Sequence, residues 1–118
     1  LLIEGIGGLL VPLTPDRATL CDLVVAMGLP VLIVCRPHLG TLNHTALTVE
    51  HARRSGVRIL GLVLNEHERV TQTLATKSAF AELSAVTGLP VLAHLRHAAD
   101  ETDAHALAQA VLSQTLVA

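Results

Sequence analysis

A carboxylate followed by a glycine-rich turn carries the most informative chemistry in the sequence. Glu4 comes directly after three apolar residues, and Gly5, Ile6, Gly7 and Gly8 follow it. Glycine lets the backbone adopt positive φ and approach a ligand closely. A carboxylate beside exposed backbone N–H groups suits a magnesium–phosphate site. A tight turn with a solvated glutamate is the alternative interpretation.

A second candidate for anion binding lies where a predicted helix begins. The stretch Leu39, Gly40, Thr41, Leu42 and Asn43 follows an apolar run and opens that helix. Free N–H groups and the positive end of the helix dipole favour an anion there, and the Thr and Asn side chains could add donors. Ordinary N-capping by one of these two side chains would explain the same pattern.

Asn65 ends the apolar run GLVL and is a candidate for reading a base. An amide has both donors and an acceptor, which suits the edge of a purine. An asparagine after a strand is also a common turn residue. The residues that follow, 66–69, are charged or histidine, and we interpret them as a solvated loop.

The cysteines and histidines do not indicate a disulfide framework or a transition-metal site. Cys21 and Cys35 both lie in apolar segments, so we predict that they are small core residues. His94 and His97 have an H-x-x-H spacing, but a predicted strand-to-loop change between them does not give helical ligand geometry.

Composition excludes several classes of function. The 118-residue chain has a net charge of −2 and one aromatic residue, Phe80. It therefore lacks the basic surface and the stacking side chains of nucleic-acid-binding proteins. No apolar run reaches the roughly 18 residues of a membrane span, and the apolar N-terminus has no basic leader. We expect a cytoplasmic protein that binds neither nucleic acid nor membrane.

Short β-branched runs alternate with longer helical stretches along the chain. Strands are predicted over residues 1–3, 31–35, 57–64 and 91–95, and helices over residues 19–27, 41–55, 70–87 and 104–116. Continuous apolar strands separated by helices predict an α/β fold, with a parallel sheet covered by helices on both faces.

The predicted topology brings the candidate residues together. Right-handed crossovers place the carboxyl ends of parallel strands at one edge of the sheet. Glu4, the 36–40 loop, Asn65 and the 96–100 loop each follow a predicted strand. We therefore expect them at the edge where open α/β sheets bind ligands.

In this order, the motifs resemble those of the dethiobiotin synthetase family. The similarity runs from residue 1 to about residue 95, and its specific parts are EGIGGLLVPL, VLIVC leading into LGTLNHTALT, and GLVLN. The resemblance implies a P-loop NTPase-like α/β fold, a homodimer, and an ATP- and Mg²⁺-dependent carbon–nitrogen cyclo-ligase. Such an enzyme converts 7,8-diaminononanoate and CO2 (from bicarbonate) into a carbamate, which ATP phosphorylates before the second amine closes the ureido ring of the biotin precursor.

Matching positions give each candidate residue an implied role. Glu4 would coordinate magnesium, and Asn65 would contact the adenine. The other implied nucleotide contacts are Gly5, Ile6, Gly7, Glu66, Arg96, His97 and Ala98, and the implied substrate contacts, partly across the dimer, are Gly8, Leu39, Gly40, Thr41, Leu42 and Asn43. The family's Gly-x-Ile-Pro turn near the C-terminus is replaced here by Ala-His-Leu-Arg at residues 93–96.

The phosphate loop of the family is not found in this sequence. No G-x-x-x-x-G-K-[ST] motif occurs, and Lys77, the only lysine, lies in a predicted helix. The resemblance assigns that loop, a catalytic lysine and a further magnesium-binding aspartate to an N-terminal half. We therefore expect residues 1–118 to be the C-terminal part of one synthetase domain, without a catalytic residue and inactive alone.

Two other functions fit the same motifs. One is a related ATP-dependent amidation synthetase domain of the cobyrinate type. The other is a non-enzymatic, nucleotide-binding regulatory domain of the same superfamily. The LGTLNHT stretch favours the dethiobiotin synthetase interpretation, because it suits the carboxylate tail of a substrate rather than a corrin.

Overall fold

The computed structural model describes residues 1–66, 74–98 and 100–116 of the chain. Within these residues, four helices and three strands alternate. Their bounds are α1 (Leu20–Met27), β1 (Val31–Cys35), α2 (Thr41–Arg54), β2 (Ile59–Asn65), α3 (Leu74–Thr87), β3 (Val91–Leu95) and α4 (Glu101–Leu116). Residues 67–69 of the predicted loop, and residues 70–73 of the predicted helix 70–87, lie outside the described residues.

The three strands form one parallel sheet in the order β1-β2-β3. Cys35 at the end of β1 pairs with Leu64, and Asn65 at the end of β2 pairs with Leu95. The carboxyl ends of all three strands therefore lie at the same edge of the sheet. This confirms the predicted parallel α/β architecture.

Apolar side chains on both faces of β2 hold the helices against the sheet. Leu62 and Leu64 are buried with Val49 of α2 and Leu83 of α3. Val63 alternates to the opposite face and is also buried. Helix α4 packs against β3 and β2, which accounts for burial on that second face. The sheet is thus covered from both sides, as the sequence predicts.

The helix boundaries follow from local capping. The Thr19 hydroxyl accepts the Asp22 N–H over 3.3 Å, and the Asp22 carboxylate accepts the Thr19 N–H over 2.6 Å, a capping box that starts α1. Asp100 Oδ1 accepts the N–H groups of Thr102 (2.8 Å) and Asp103 (3.3 Å). Helix α4 therefore begins three residues before its predicted start, because its true N-terminal signal is this aspartate.

Prediction was wrong about the cap of α2. The N-cap is Gly40, at φ 93°, and it makes no side-chain capping hydrogen bond. Thr41 and Asn43, which the sequence suggested as caps, lie inside the first turn of the helix instead. The reason is conformational, because the left-handed turn that enters α2 requires the residue with the least steric restriction.

The predicted strand at residues 1–3 is also wrong. Residues 1–6 adopt no regular secondary structure, and Leu1, Leu2 and Ile3 are exposed. Residues 8–21 instead bond among themselves, with an isolated bridge between Pro12 and Thr19 and with the Cys21 N–H donating to the Leu9 carbonyl. Among the residues that the structure describes, no strand pairs with residues 1–3, so their backbone groups lack the hydrogen bonds that a strand requires.

Both cysteines are free thiols in the core, as predicted. Cys35 lies in the cluster between the sheet and the α2–α3 layer. Cys21 packs with Ala52 and Val57 in a second cluster that joins α1 to α2. Within the part of the chain that the structure describes, no helix is both long enough and apolar enough to cross a membrane.

Candidate functional site

The carboxyl edge of the sheet carries three chain segments that prediction assigned to a ligand site. They are the 36–40 loop after β1, Asn65 and Glu66 at the end of β2, and the turn 96–98 after β3. Register brings the last two segments into contact, because Asn65 pairs with Leu95 and the Glu66 N–H donates to the Leu95 carbonyl over 2.9 Å.

Glu66 is not part of a solvated loop, contrary to the sequence interpretation. Its side chain is 17% exposed, and its Oε1 lies 2.7 Å from His94 Nε2 on β3. Its Oε2 accepts the backbone N–H of His97 over 3.4 Å. The sequence showed the residues but not the register that pairs them, so this contact could not be predicted. His67, Glu68 and Arg69, the rest of that loop, lie outside the described residues.

The turn after β3 lies beside Asn65, which is itself half-buried. Arg96, His97 and Ala98 are exposed, and Ala98 has φ 60°, a conformation that non-glycine residues seldom adopt. The structure thus places the residues proposed to contact a base on two adjacent strand ends. Asn65 is the member whose amide group can bond the edge of a purine.

The loop at the start of α2 has an exposed tip, and some of its backbone N–H groups already donate hydrogen bonds within the chain. Leu39 is 98% exposed, and Gly40 turns the chain into the helix. The Thr41 N–H donates to the His38 carbonyl over 3.1 Å, so it is not a free donor as prediction assumed. Leu42 and Asn43 follow in the first helical turn, where N–H groups have no partner within the helix. An anion site there would use these two N–H groups.

The loop before α2 is anchored through a buried contact. Thr45 Oγ1 donates to Cys35 Sγ over 3.3 Å, which joins α2 to the end of β1. Burial raises the pKa of the Cys35 thiol above its usual 9.0, and the hydrogen bond from Thr45 opposes this shift to a smaller extent. The thiol therefore stays neutral at physiological pH and serves as a packed acceptor, not as a nucleophile.

The glycine-rich segment places Glu4 on an exposed stretch ahead of α1, and not at the end of a strand. A Cβ at Gly5 would lie 2.7 Å from Leu20 Cδ2, and a Cβ at Gly7, whose φ is 67°, would lie 2.6 Å from Val11 Cγ2. Both glycines therefore pack closely against side chains of the same chain, and Gly7 also has the positive φ that favours glycine. Gly8 has no such neighbour within 4 Å.

The magnesium ligand that the sequence suggests, Glu4, is a single exposed carboxylate. Among residues 1–66, 74–98 and 100–116, no three His, Cys, Asp or Glu side chains form a group that could hold a metal. Mg²⁺ commonly takes only one or two protein carboxylates and completes its shell with phosphate oxygens and water. The exposed carboxylate of Glu4 can supply one such ligand.

Comparison with known proteins agrees with this architecture. The model of the AAA domain family matches residues 1–105. A protein of Anaeromyxobacter sp. (strain Fw109-5), named ATP-dependent dethiobiotin synthetase BioD, is 48% identical over 99 residues, which cover 84% of this chain and 44% of that protein. Proteins with the same name from Methanocaldococcus jannaschii and Haloferax mediterranei are 36% and 48% identical over 78% and 76% of this chain, and over 42% and 38% of their own lengths.

The chain spans less than half the length of these curated relatives. The residues matched by the family model extend from the glycine-rich segment into α4, so the segments that carry the motifs lie within the matched range. The chain therefore belongs to the AAA domain family, a family of P-loop NTPases, and its resemblance to the dethiobiotin synthetases is confirmed.

Proposed function

We propose that the protein to which this chain belongs is a dethiobiotin synthetase. The observation that carries this proposal is the 48% identity, over 84% of the chain, to a protein of that name. The arrangement of the strand ends supports it, because the helix start after β1 and Asn65 after β2 lie at the same edge of the sheet. Residues 1–118 would then be one part of a single synthetase domain.

The reaction is a carbon–nitrogen cyclo-ligation in three steps. One amine of 7,8-diaminononanoate adds to CO2, loses a proton and becomes a carbamate. A carbamate oxygen attacks the γ-phosphorus of ATP, and ADP leaves. The second amine then attacks the carbonyl carbon of the phosphorylated carbamate and loses a proton, inorganic phosphate leaves, and the ureido ring closes. The protein would work in the cytoplasm, where ATP is supplied, and as a homodimer.

The chain's own contribution to this reaction is binding and orientation. The carboxylate tail of the substrate would meet the Leu42 and Asn43 N–H groups at the start of α2, with Leu39, Gly40 and Thr41 forming the loop around it and Gly8 nearby. The homodimer proposal requires this loop to serve a site bound mainly by the other subunit. The chemistry at the γ-phosphate would depend on the phosphate loop and the catalytic lysine of the family. Neither is found among residues 1–118, where the only lysine is Lys77.

The nucleotide would lie along the remaining segments. Asn65 would bond the adenine, and the turn formed by Arg96, His97 and Ala98 would border the base. The backbone of Gly5, Ile6 and Gly7 would lie against the phosphates. Glu4 would be a ligand of Mg²⁺, which neutralises charge on the phosphates when bound.

The decisive experiment uses the protein expressed from its complete gene. It should form dethiobiotin from 7,8-diaminononanoate, bicarbonate, ATP and Mg²⁺, as measured by mass spectrometry. Glu4→Gln should reduce turnover by at least about tenfold, because an amide of the same size lacks the charge that a hard cation requires. Glu50→Gln is a matched control, since Glu50 pairs with Arg54 on the exposed face of α2 over 2.8 Å.

The outcomes separate the alternatives. No product from the complete protein would overturn the proposal. ATP hydrolysis coupled to amidation of a cobyrinate would indicate the related synthetase, and nucleotide binding without turnover would indicate a regulatory domain. The 118-residue chain alone should form no dethiobiotin, because it has no phosphate loop.

A further inference from the structure

Both oxygens of the Glu66 carboxylate contact β3 or the turn that follows it. One oxygen lies 2.7 Å from His94 Nε2, and the other accepts the His97 N–H over 3.4 Å. The Glu66 backbone N–H donates to the Leu95 carbonyl over 2.9 Å. Three contacts from this one residue therefore tie the end of β2 to the end of β3 and to the turn that follows.

The turn that Glu66 contacts needs such support. It is exposed, and it contains Ala98 in the left-handed region of backbone space, at φ 60°. A non-glycine residue persists in that conformation only when its surroundings hold it there. The contact from Glu66 to the His97 N–H lies one residue before Ala98. The carboxylate is thus placed to fix the path of the chain through this turn.

We propose that Glu66 is a positioning residue, which holds the Arg96–Ala98 turn against the end of β2 and so shapes the edge of the sheet at which Asn65 would bind the base. In this proposal Glu66 acts through His94 and His97. Its side chain is 17% exposed and that of His94 is 32% exposed, and each carboxylate oxygen has a partner on β3 or in the turn that follows. The inference rests on the proposed function, because it assumes that a nucleotide lies at this edge.

The proposal differs from direct nucleotide binding in how mutations combine. If Glu66 positions the turn through His94, removing either side chain disrupts the same contact. The two effects are then non-additive, as expected for residues that share one interaction. If Glu66 bonded the nucleotide independently, removal of both side chains would give the product of the two single effects.

The test uses the protein from its complete gene, with Glu66→Ala, Glu66→Gln, His94→Ala and the double variant Glu66→Ala/His94→Ala. Glu66→Ala should raise the KM for ATP by about tenfold while kcat changes less than about twofold, which corresponds to loss of a hydrogen-bonded charged group. Glu66→Gln retains an acceptor oxygen and should restore most of that loss. The double variant should be no worse than about twofold beyond Glu66→Ala.

Glu50→Gln is the control, since it removes an equivalent charge from an exposed ion pair of α2, and it should leave the KM for ATP unchanged. Amide NMR supplies a separate readout, in which the His97 N–H resonance should shift in Glu66→Ala. Multiplicative effects on KM, an unchanged KM, or an unchanged His97 amide would each overturn the proposal.

Failure of the proposed function is distinguishable from failure of this inference. If the unmodified protein forms no dethiobiotin, the same four variants are titrated with ATP by calorimetry, and the dissociation constant replaces KM. Non-additive weakening would support the positioning role whatever the reaction is. Absence of any ATP binding by the unmodified protein would overturn both.

Discussion

The hydroxyl of Thr45 donates a hydrogen bond to the sulfur of Cys35 over 3.3 Å, and both side chains are buried. Cys35 is the last residue of β1, and Thr45 lies one turn into α2. The bond therefore closes the base of the 36–40 loop, which is the segment proposed to meet the substrate carboxylate. The tip of the loop is exposed, whereas the residues at its two ends are held by this buried hydrogen bond.

Removing the acceptor should destabilise the protein more than removing the donor. Cys35→Ala leaves the buried Thr45 hydroxyl without its acceptor and should lower the free energy of unfolding by about 1–3 kcal/mol. Thr45→Val should cost less than about 1 kcal/mol, because it replaces a hydroxyl by a methyl group of similar shape and the thiol keeps its contact with the Ile33 carbonyl. Urea unfolding measures both. Cys21→Ala is the control for loss of sulfur packing alone, and equal losses for Cys21→Ala and Cys35→Ala would contradict the argument.

Stability should fall on the alkaline side because of the same thiol. Burial raises the pKa of Cys35 above 9.0 in the folded protein. A raised folded-state pKa contributes stability that is complete below the pKa of the unfolded state and is lost as pH rises through the folded-state value. The free energy of unfolding should thus decline above pH 9, and less steeply in Cys35→Ala. The sequence has no tyrosine and one lysine, so few other groups titrate there. If the free energy of unfolding declined equally with pH in the unmodified protein and in Cys35→Ala, the prediction would be refuted.

Asn65 should determine the preference for ATP. Loss of an amide that bonds the base costs about 1–3 kcal/mol, counting the partner left without a bond. Asn65→Ala in the complete protein should therefore raise the KM for ATP and narrow the difference between ATP and GTP. Asn43→Ala is the matched control, because it removes an amide of the same size from the α2 loop, and it should leave the ATP/GTP ratio unchanged. An unaltered ATP/GTP ratio in Asn65→Ala would count against the assignment.

Mixed dimers test whether the α2 loop serves the other subunit. Glu4→Gln and Gly40→Leu should each inactivate the complete protein, the first through the magnesium ligand and the second because Gly40 has φ 93° and a Cβ would already lie 3.4 Å from the His44 ring. When the two variants are co-expressed, a shared site predicts that one site in each mixed dimer regains activity. Native mass spectrometry can establish that mixed dimers form. If they form but stay inactive, the loop belongs to the site of its own subunit.

Gly61 should not tolerate a side chain. A Cβ at this position would lie 2.8 Å from the Pro90 carbonyl oxygen and 2.8 Å from Leu92 Cγ. Because the oxygen belongs to the backbone just before β3 and accepts the Leu62 N–H, it cannot move aside easily, and Gly61→Ala should cost about 1–3 kcal/mol through overpacking. Gly8→Ala, with no atom within 4 Å of the new Cβ, should be close to neutral in thermal unfolding. Similar melting temperatures for the two variants would contradict the predicted clash.

The spacing of apolar residues and the positions of glycine and proline predicted most of the helices and strands. The β-branched runs of β1 and β3 were predicted with their observed bounds, and Gly28 ends α1 in a left-handed conformation, as expected of a helix-stop glycine. Prediction failed where contacts with residues distant in sequence determine the local structure. Leu1–Ile3 has the composition of a strand, but a strand needs a partner to bond with, and composition does not report one.

Topology predicted that three of the candidate segments share one edge of the sheet, but it wrongly placed Glu4 at the end of a strand, and it did not predict the contacts among the segments. Parallel topology alone places Asn65, the 36–40 loop and the turn after β3 at one edge. The contact between Glu66 and His94 joins residues that are distant in sequence, and it depends on the register of β2 with β3. Hydrophobic patterns determine which face a residue occupies but not which residue of the next strand lies beside it.

The order of the strands in the sheet repeats their order in the chain, and this has a consequence for how the molecule folds. Val31 pairs with Ile59, and Leu62 pairs with Val91. Each pairing therefore closes a loop of roughly thirty residues, and the chain entropy lost in closing it precedes the favourable contacts between the strands. The helices form from local contacts and carry no such cost. Docking of β1 and β3 onto β2 should therefore limit the folding rate, and truncation of the central Leu62 should slow refolding more than truncation of an exposed helical leucine such as Leu47.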